Sequence, residues 1–170
     1  MKILVVDDRV ENLESAKETL GKDHEVELVS DAGTAFRLLA RQGAHYDVLL
    51  TDLFMPLGEF RGEMGRNALP PESIPVGLVF ALSAANKGLR TVICTDANHH
   101  NDWLCTLLDL VGQKIPIMRG MVATGDAGGG ETNQVVAYVE ARYCLTSSNA
   151  KDWREAMEAS GLFPELFPEQ

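Results

Sequence analysis

Apolar runs and amphipathic stretches alternate along the first third of the chain. Lys2 to Val6 and Val48 to Leu50 are almost wholly apolar, which is typical of strands buried on both faces of a parallel sheet. Apolar residues recur every three or four positions over 10–20 and again over 32–39, and this spacing predicts two amphipathic helices. Glu25 to Ser30 alternates polar and apolar residues, as in a strand at a sheet edge. The predicted order is therefore β-α-β-α-β.

The boundaries of the predicted helices carry suitable residues. Gly21 can end the first helix, Asp31 can cap the second, and Gly43 marks the limit of the second. Helix-forming composition resumes at 76–87, where Pro75 is acceptable in the first turn. We therefore expect a third helix there, apolar around most of its circumference.

The middle of the chain combines a loop with a further strand and helix. Residues 57–75 contain three glycines and three prolines without hydrophobic periodicity, which predicts a long loop insertion. A β-branched strand follows at 91–95, and a helix is predicted over 102–111. The first, third and fourth strands each lead into acidic residues: Asp7-Asp8, Asp52 and Asp96.

The last part of the chain leaves the position of the fifth strand open. Val135 to Arg142 alternates and is a plausible final strand, but Ile115 to Ala123 could also be one, within an extra hairpin or glycine-rich loop over 113–134. A final helix is predicted from about Ala150 to Ser160, capped by Asn149.

Strands that alternate with helices predict an α/β fold, a doubly wound, five-stranded parallel sheet covered by helices on both faces. We expect one domain over 1–162, with insertions after the third strand and the fourth helix, and a non-helical tail over 163–170 that contains two prolines. Ligands bind such sheets at the carboxyl ends of the strands. The strand-end acids therefore mark the candidate site.

The amino-acid composition and net charge disfavour some classes of function. The 170 residues carry 15 Lys and Arg against 25 Asp and Glu, a net charge of −10, which disfavours nucleic acid and anionic membranes as partners. The N-terminal apolar run is too short for a signal peptide or a membrane span. The three cysteines show no C-x-x-C spacing, so reduced core thiols are expected. These features predict a cytoplasmic protein.

Two segments carry a family resemblance. Leu4-Val5-Val6-Asp7-Asp8 and Val48-Leu49-Leu50-Thr51-Asp52-Leu53-Phe54-Met55-Pro56 resemble the signature segments of bacterial response regulator receiver domains, which have a flavodoxin-like topology. A later strand ending at Thr95 also fits the order of motifs in that family. The resemblance covers 2–56 well, 91–111 fairly and the remainder poorly.

The resemblance implies a role for each matching residue. Asp52 would accept a phosphoryl group from a sensor histidine kinase or phosphotransfer protein, and Thr95 would hydrogen-bond the phosphoryl oxygens. Mg²⁺ would be held by Asp8 directly, by Asp7 through water, by Asp52, and by the backbone carbonyl of Phe54. Carboxylates about 5 Å apart on adjacent strands repel by roughly 3 kcal/mol per pair, so such a cluster needs a cation, and Mg²⁺ suits an all-oxygen site.

The sequence also departs from the family pattern. Receivers usually end the fifth strand with a Lys-Pro pair, which this chain lacks. Depending on which strand is the fifth, Arg119 or Arg142 falls near that position, while Lys114 lies at the wrong end. We therefore expect the phosphoryl-pairing cation to be absent or replaced by arginine, which is not an equal substitute for lysine.

Other polar residues near the expected site have structural explanations. Asp96 can cap a helix or add a metal contact, and His99-His100 fit a helix entry or partner surface better than a shared metal.

Phe54 occupies the position where phosphatases of the haloacid dehalogenase type carry a second, general-acid aspartate. The chain therefore lacks the acid that such a phosphatase needs.

The sequence leaves three functions open. The first is a receiver in phosphorelay signalling, phosphorylated at Asp52, that acts on a downstream protein target by contact; its only reactions would be self-phosphorylation and slow hydrolysis of the acyl phosphate. The second is a pseudo-receiver binding module that is not phosphorylated. The third is a metal-dependent phosphoester hydrolase.

Overall fold

The computed structural model describes residues 1–41, 45–56, 75–85, 87–95, 136–140 and 144–167. Five strands and four helices are found in these ranges. They are β1 (Lys2–Val6), α1 (Val10–Leu20), β2 (Glu25–Val29), α2 (Ala32–Ala40), β3 (Val48–Thr51), α3 (Val76–Ala85), β4 (Arg90–Thr95), β5 (Val136–Glu140) and α4 (Trp153–Ala159).

The strands form one parallel sheet in the order β2-β1-β3-β4-β5. This order confirms the predicted doubly wound fold and places β2 at an edge, as its alternating pattern indicated. The chain steps from β1 outward to β2 and then returns to the other side of β1 with β3. The point where the strand order reverses therefore lies between β1 and β3.

Hydrophobic residues on the two faces of the sheet form separate core clusters. On β1, Ile3 and Val5 point into the cluster that contains Trp153 of α4, whereas Leu4 and Val6 point into the cluster on the side of α2 and α3. All four strand residues are fully buried. This two-sided burial explains why the run is apolar at every position rather than at alternate ones.

The ends of the helices agree with the sequence in part. The carboxylate of Asp31 accepts a hydrogen bond from the backbone of Thr34, so the predicted cap of α2 is confirmed. The predicted cap of the last helix is wrong: Asp152, not Asn149, accepts the amide hydrogen bonds at the start of α4. Asn149 instead adopts a left-handed backbone conformation with φ of 60°, which asparagine tolerates better than most residues.

The core continues past α4 into the segment assigned to the tail. Phe163 is buried in the cluster below α4, and the guanidinium of Arg90 lies 4.5 Å from the centroid of its ring. Arg90 also pairs with Glu165 and donates to the carbonyl of Leu162. These contacts hold residues 162–165 against the amino-terminal end of β4.

Several predicted elements lie outside the described residues. They are most of the 57–75 loop, the 102–111 helix, and the 113–134 insertion. In the part of the chain that is described, no helix combines the length and the apolar character that a membrane span requires.

Candidate functional site: an acidic pocket with a buried lysine

The candidate site begins where β1 and β3 end. Val6 pairs with Thr51 in the sheet, and the next residue on each strand is an aspartate, Asp7 and Asp52. The amide of Asp52 donates to the carbonyl of Val6 at 2.9 Å, so the parallel ladder extends up to the acids. Because neighbouring parallel strands end at the same edge of a sheet, the two carboxylates meet at the point of strand-order reversal.

Three predicted metal ligands come together at this edge. Carboxylate oxygens of Asp7, Asp8 and Asp52 all lie within 4.8 Å of one another. Asp7 and Asp52 are buried, while Asp8 is exposed and opens the cluster to solvent. Hard oxygen donors in this arrangement fit a divalent cation such as Mg²⁺, which binds through one or two carboxylates and retains several waters.

A lysine that the sequence pattern does not indicate lies between two of these acids. The ammonium Nζ of Lys151 is 2.7 Å from Oδ2 of Asp7 and 3.0 Å from Oδ1 of Asp52. Lys151 is only 1% exposed, so both ion pairs are shielded from solvent. The expectation that the pocket lacks a lysine is therefore wrong, and Arg119 and Arg142, its expected replacements, fall outside the described residues.

The sequence does not mark Lys151 as a pocket residue because it does not lie at the end of β5. The strand ends at Glu140, and the chain makes a further turn before Lys151, which forms an isolated antiparallel bridge with Leu145. Asp152 follows it where the family pattern has proline. The sequence shows that Lys151 comes directly before the acidic cap of α4, but this does not indicate where its ammonium points.

Asp52 is held through one of its two carboxylate oxygens. Oδ1 accepts a hydrogen bond from the amide of Leu53 at 2.7 Å and pairs with Lys151. Burial raises the pKa of Asp52 to about 6, and the charge of Asp7 adds to this, although Lys151 opposes it. The carboxylate is therefore largely ionised at neutral pH, and Oδ2 receives no hydrogen bond from the described residues.

Asp7 is the most constrained acid of the cluster. Its Oδ1 accepts from the amide of Arg9 at 2.9 Å and from the side-chain amide of Asn12 at 2.9 Å. Its Oδ2 accepts from Asn12 at 3.0 Å and from Lys151 at 2.7 Å. Each of these donors replaces a water molecule that the buried carboxylate has lost.

The charge of Lys151 is maintained by the acids around it. Burial alone would lower the pKa of Lys151, but the charges of Asp52 and Asp7 outweigh burial and raise this pKa above its usual value. The ammonium also lies 5.4 Å from the centroid of the Trp153 ring, a distance at which a cation is attracted to the face of an indole. Lys151 is thus a permanent cation in the pocket.

Other predicted site residues lie near the pocket or outside the described residues. Thr95 is buried at the end of β4, the strand next to β3. The side chain of Phe54 packs against the cluster that contains Leu53 and Ile93. Asp96 and His99-His100 lie outside the described residues.

Helix α3 abuts the backbone of the acidic strand end. The amide of Gly77 donates to the carbonyl of Leu53 at 3.0 Å. A Cβ atom at Gly77 would lie 1.8 Å from the carbonyl oxygen of Asp52, so only glycine permits this approach. The first turn of α3 therefore supports the loop that carries Asp52.

Comparisons of sequence find no counterpart: neither a family model nor a curated protein matches the chain. Several solved structures resemble this chain, and three of them illustrate the likeness. A response regulator receiver domain protein from Clostridium thermocellum has a TM-score of 0.50 at 16% identity, over 97% of this chain and 97% of its own. The signal receiver domain of an HD domain-containing protein from Pseudomonas fluorescens gives 0.49 at 13% identity, over 94% and 92%.

The third is the response regulator TrrA from Thermotoga maritima, in complex with Mg²⁺ and beryllofluoride. It gives a TM-score of 0.42 at 23% identity, over 62% of this chain and 78% of its own. The Clostridium protein matches nearly end to end. The sheet order of this chain, β2-β1-β3-β4-β5, and its flanking helices give the flavodoxin-like topology that the resemblance implies. The chain therefore has the flavodoxin-like fold of a response regulator receiver domain.

Proposed function

We propose that this protein is a phosphorelay receiver that accepts a phosphoryl group on Asp52 with Mg²⁺ bound beside it. The observation that carries this proposal is the pocket itself: three carboxylates converge at one sheet edge, and a buried lysine pairs with two of them. An acidic cluster alone is common on protein surfaces. The buried ammonium makes the pocket suited to an anion that binds next to a metal ion.

The charge of the pocket explains why it would hold Mg²⁺ in addition to the Lys151 ammonium. Three acids against one lysine leave a net negative pocket, which would repel a phosphoryl donor. Bound Mg²⁺ would supply the remaining positive charge and offset the charge that develops on the transferring group. Asp7, Asp8 and Asp52 would hold it, with the backbone carbonyl of Phe54 as a further ligand.

Each residue of the pocket then has its own role in phosphoryl transfer. Oδ2 of Asp52 attacks phosphorus, and the bond from phosphorus to the donor nitrogen or oxygen breaks as the acyl phosphate forms. Backbone and lysine contacts to Oδ1 hold the carboxylate in one orientation during attack. The Lys151 ammonium, 3.0 Å from Oδ1 of Asp52, would pair with the new phosphoryl group, and the hydroxyl of Thr95 would hydrogen-bond one of its oxygens.

The partners follow from this chemistry. The phosphoryl donor would be a sensor histidine kinase or a phosphotransfer protein in the cytoplasm, and the phosphorylated form would act on a downstream protein. We propose that self-phosphorylation and slow hydrolysis of the acyl phosphate are the only reactions of the protein. The pseudo-receiver alternative depended on a missing lysine, and Lys151 removes that ground.

Exposure to acetyl phosphate with Mg²⁺ tests the proposal. Intact-mass spectrometry should show the gain of one phosphoryl group, dependent on Mg²⁺ and abolished by Asp52→Asn. Asp47→Asn is the matched control, because Asp47 flanks the same strand at its opposite end and contacts Lys2 rather than the pocket. A mass gain that persists in Asp52→Asn, or one that never occurs in the wild type, would disprove the assignment.

Beryllofluoride separates the proposal from the other two functions. Spectral changes with beryllofluoride and Mg²⁺ together support a receiver, whereas changes with Mg²⁺ alone indicate a binding module that does not use phosphate. Continuous release of phosphate from a phosphoester would indicate a hydrolase.

A further inference from the structure

Lys151 reaches the pocket from a loop, and two side chains of α1 hold that loop in place. Within the sheet, ladder hydrogen bonds determine where a strand-end residue points. Lys151 lies well past Glu140, the last residue of β5, so the ladder does not determine its position. The isolated bridge to Leu145 is bonded through Ala150 and Asp152, the neighbours of Lys151. The amide and carbonyl of Lys151 itself therefore have other partners.

Helix α1 contacts the Lys151 backbone at both of its polar groups. The amide of Lys151 donates to Oδ1 of Asn12 at 2.9 Å, and its carbonyl accepts from Oγ of Ser15 at 2.7 Å. Both contacts are buried. The indole nitrogen of Trp153 also donates to the carbonyl of Asn12 at 3.0 Å, which ties the start of α4 to the same turn of α1.

Asn12 makes contacts that suit only an amide side chain. Its nitrogen donates to both oxygens of Asp7, which can only accept, while its oxygen accepts from the amide of Lys151, which can only donate. An aspartate here would face the carboxylate of Asp7 without a donor, and an apolar residue would leave both partners unsatisfied. Asn12 thus links the backbone of the cation to the carboxylate that the cation binds.

We propose that Asn12 and Ser15 are positioning residues that set the location of the Lys151 ammonium in the pocket. The inference rests on the proposed phosphoryl transfer for its functional consequence, and it assigns to α1 a part in that transfer without contact to the phosphoryl group. Loss of either side chain releases one end of the Lys151 peptide unit. The ammonium then occupies the pocket for a smaller fraction of the time, so phosphoryl transfer slows.

Ser15→Ala is the sharper test, because Ser15 contacts Lys151 without touching a proposed metal ligand. Thr19→Ala is the matched control: the Thr19 hydroxyl donates within α1 to the carbonyl of Ser15 and does not contact Lys151. Asn12→Ala serves as a second variant that removes the other contact. Thermal unfolding identifies the variants that remain folded at the assay temperature.

The position of the ammonium can be measured without any phosphoryl transfer. Each folded variant is treated with a limiting amount of an amine-acylating reagent, and the modification of every lysine is followed by peptide mass spectrometry. Ser15→Ala and Asn12→Ala should raise the acylation rate of Lys151 about fivefold to tenfold, the effect of one lost buried hydrogen bond. Lys2 and Lys17 should react as before, and Thr19→Ala should leave Lys151 as protected as in the wild type.

Phosphoryl transfer provides the second measurement. The rate of acyl-phosphate formation should fall in Ser15→Ala while its Mg²⁺ affinity stays unchanged, and in a Lys151→Met background Ser15→Ala should have no further effect. Unchanged Lys151 acylation in both variants, or a Ser15→Ala effect that persists in the Lys151→Met background, would overturn the inference. If the wild type gains no phosphoryl group, the proposed function fails, and the acylation rates still decide whether α1 positions Lys151.

Discussion

The metal-free pocket should be a source of instability, and Asp52→Asn should relieve it. Asp52 is 5% exposed and its pKa is raised from 3.8 to about 6 by burial, so the folded protein binds the Asp52 proton more tightly than the unfolded chain does. The free energy of unfolding therefore falls as pH rises through the window from about 4 to about 6 and stays lowered above it. At about 1.4 kcal/mol for each pH unit, the two pKa values imply a cost of ~3 kcal/mol near neutral pH.

Urea denaturation in a chelator measures this cost directly. Asp52→Asn, which carries no charge at any pH, should be more stable than the wild type by about 1–3 kcal/mol at pH 7.5, and the difference should vanish near pH 4. Asp47→Asn should show no such pH-dependent gain. A variant that is no more stable at pH 7.5, or a gain of equal size at both pH values, would refute the electrostatic reasoning.

Three further outcomes are expected from the same pocket. Lys151→Met leaves Asp7 and Asp52 buried without their cation, so urea denaturation at pH 7.5 should show a loss of about 3–5 kcal/mol; an unchanged midpoint would contradict the ion pairs. Gly77→Ala places a methyl group 1.8 Å from the Asp52 carbonyl oxygen, and the forced shift should cost about 1–3 kcal/mol in thermal unfolding and slow labelling by acetyl phosphate. Mg²⁺ should raise the melting temperature of the wild type at pH 7.5 but much less at pH 5, where protonation of Asp52, whose pKa is about 6, removes a ligand; equal stabilisation at both pH values would exclude Asp52 as a ligand.

Local patterns were enough to predict most of the fold. Two-sided burial makes β1 apolar at every position, and β2, at the edge of the sheet, is mostly only partly buried and mixes polar with apolar residues. The presence of these two strands therefore follows from short windows of sequence. The Asp31 cap involves a hydrogen bond between residues only three positions apart. The convergence of Asp7 and Asp52 also followed, because parallel strands in this fold class end at a common edge.

The tertiary structure alone identified the cation of the pocket. Lys151 is far in sequence from Asp7 and Asp52, and its backbone donates to Asn12 and accepts from Ser15 on a helix near the other end of the chain. The prediction that Asn149 caps α4 is wrong because Asp152, three residues further on, accepts the amide hydrogen bonds at its start. Sequence periodicity reports which face of an element is buried, whereas the meeting of side chains from distant segments is determined only once the elements have packed together.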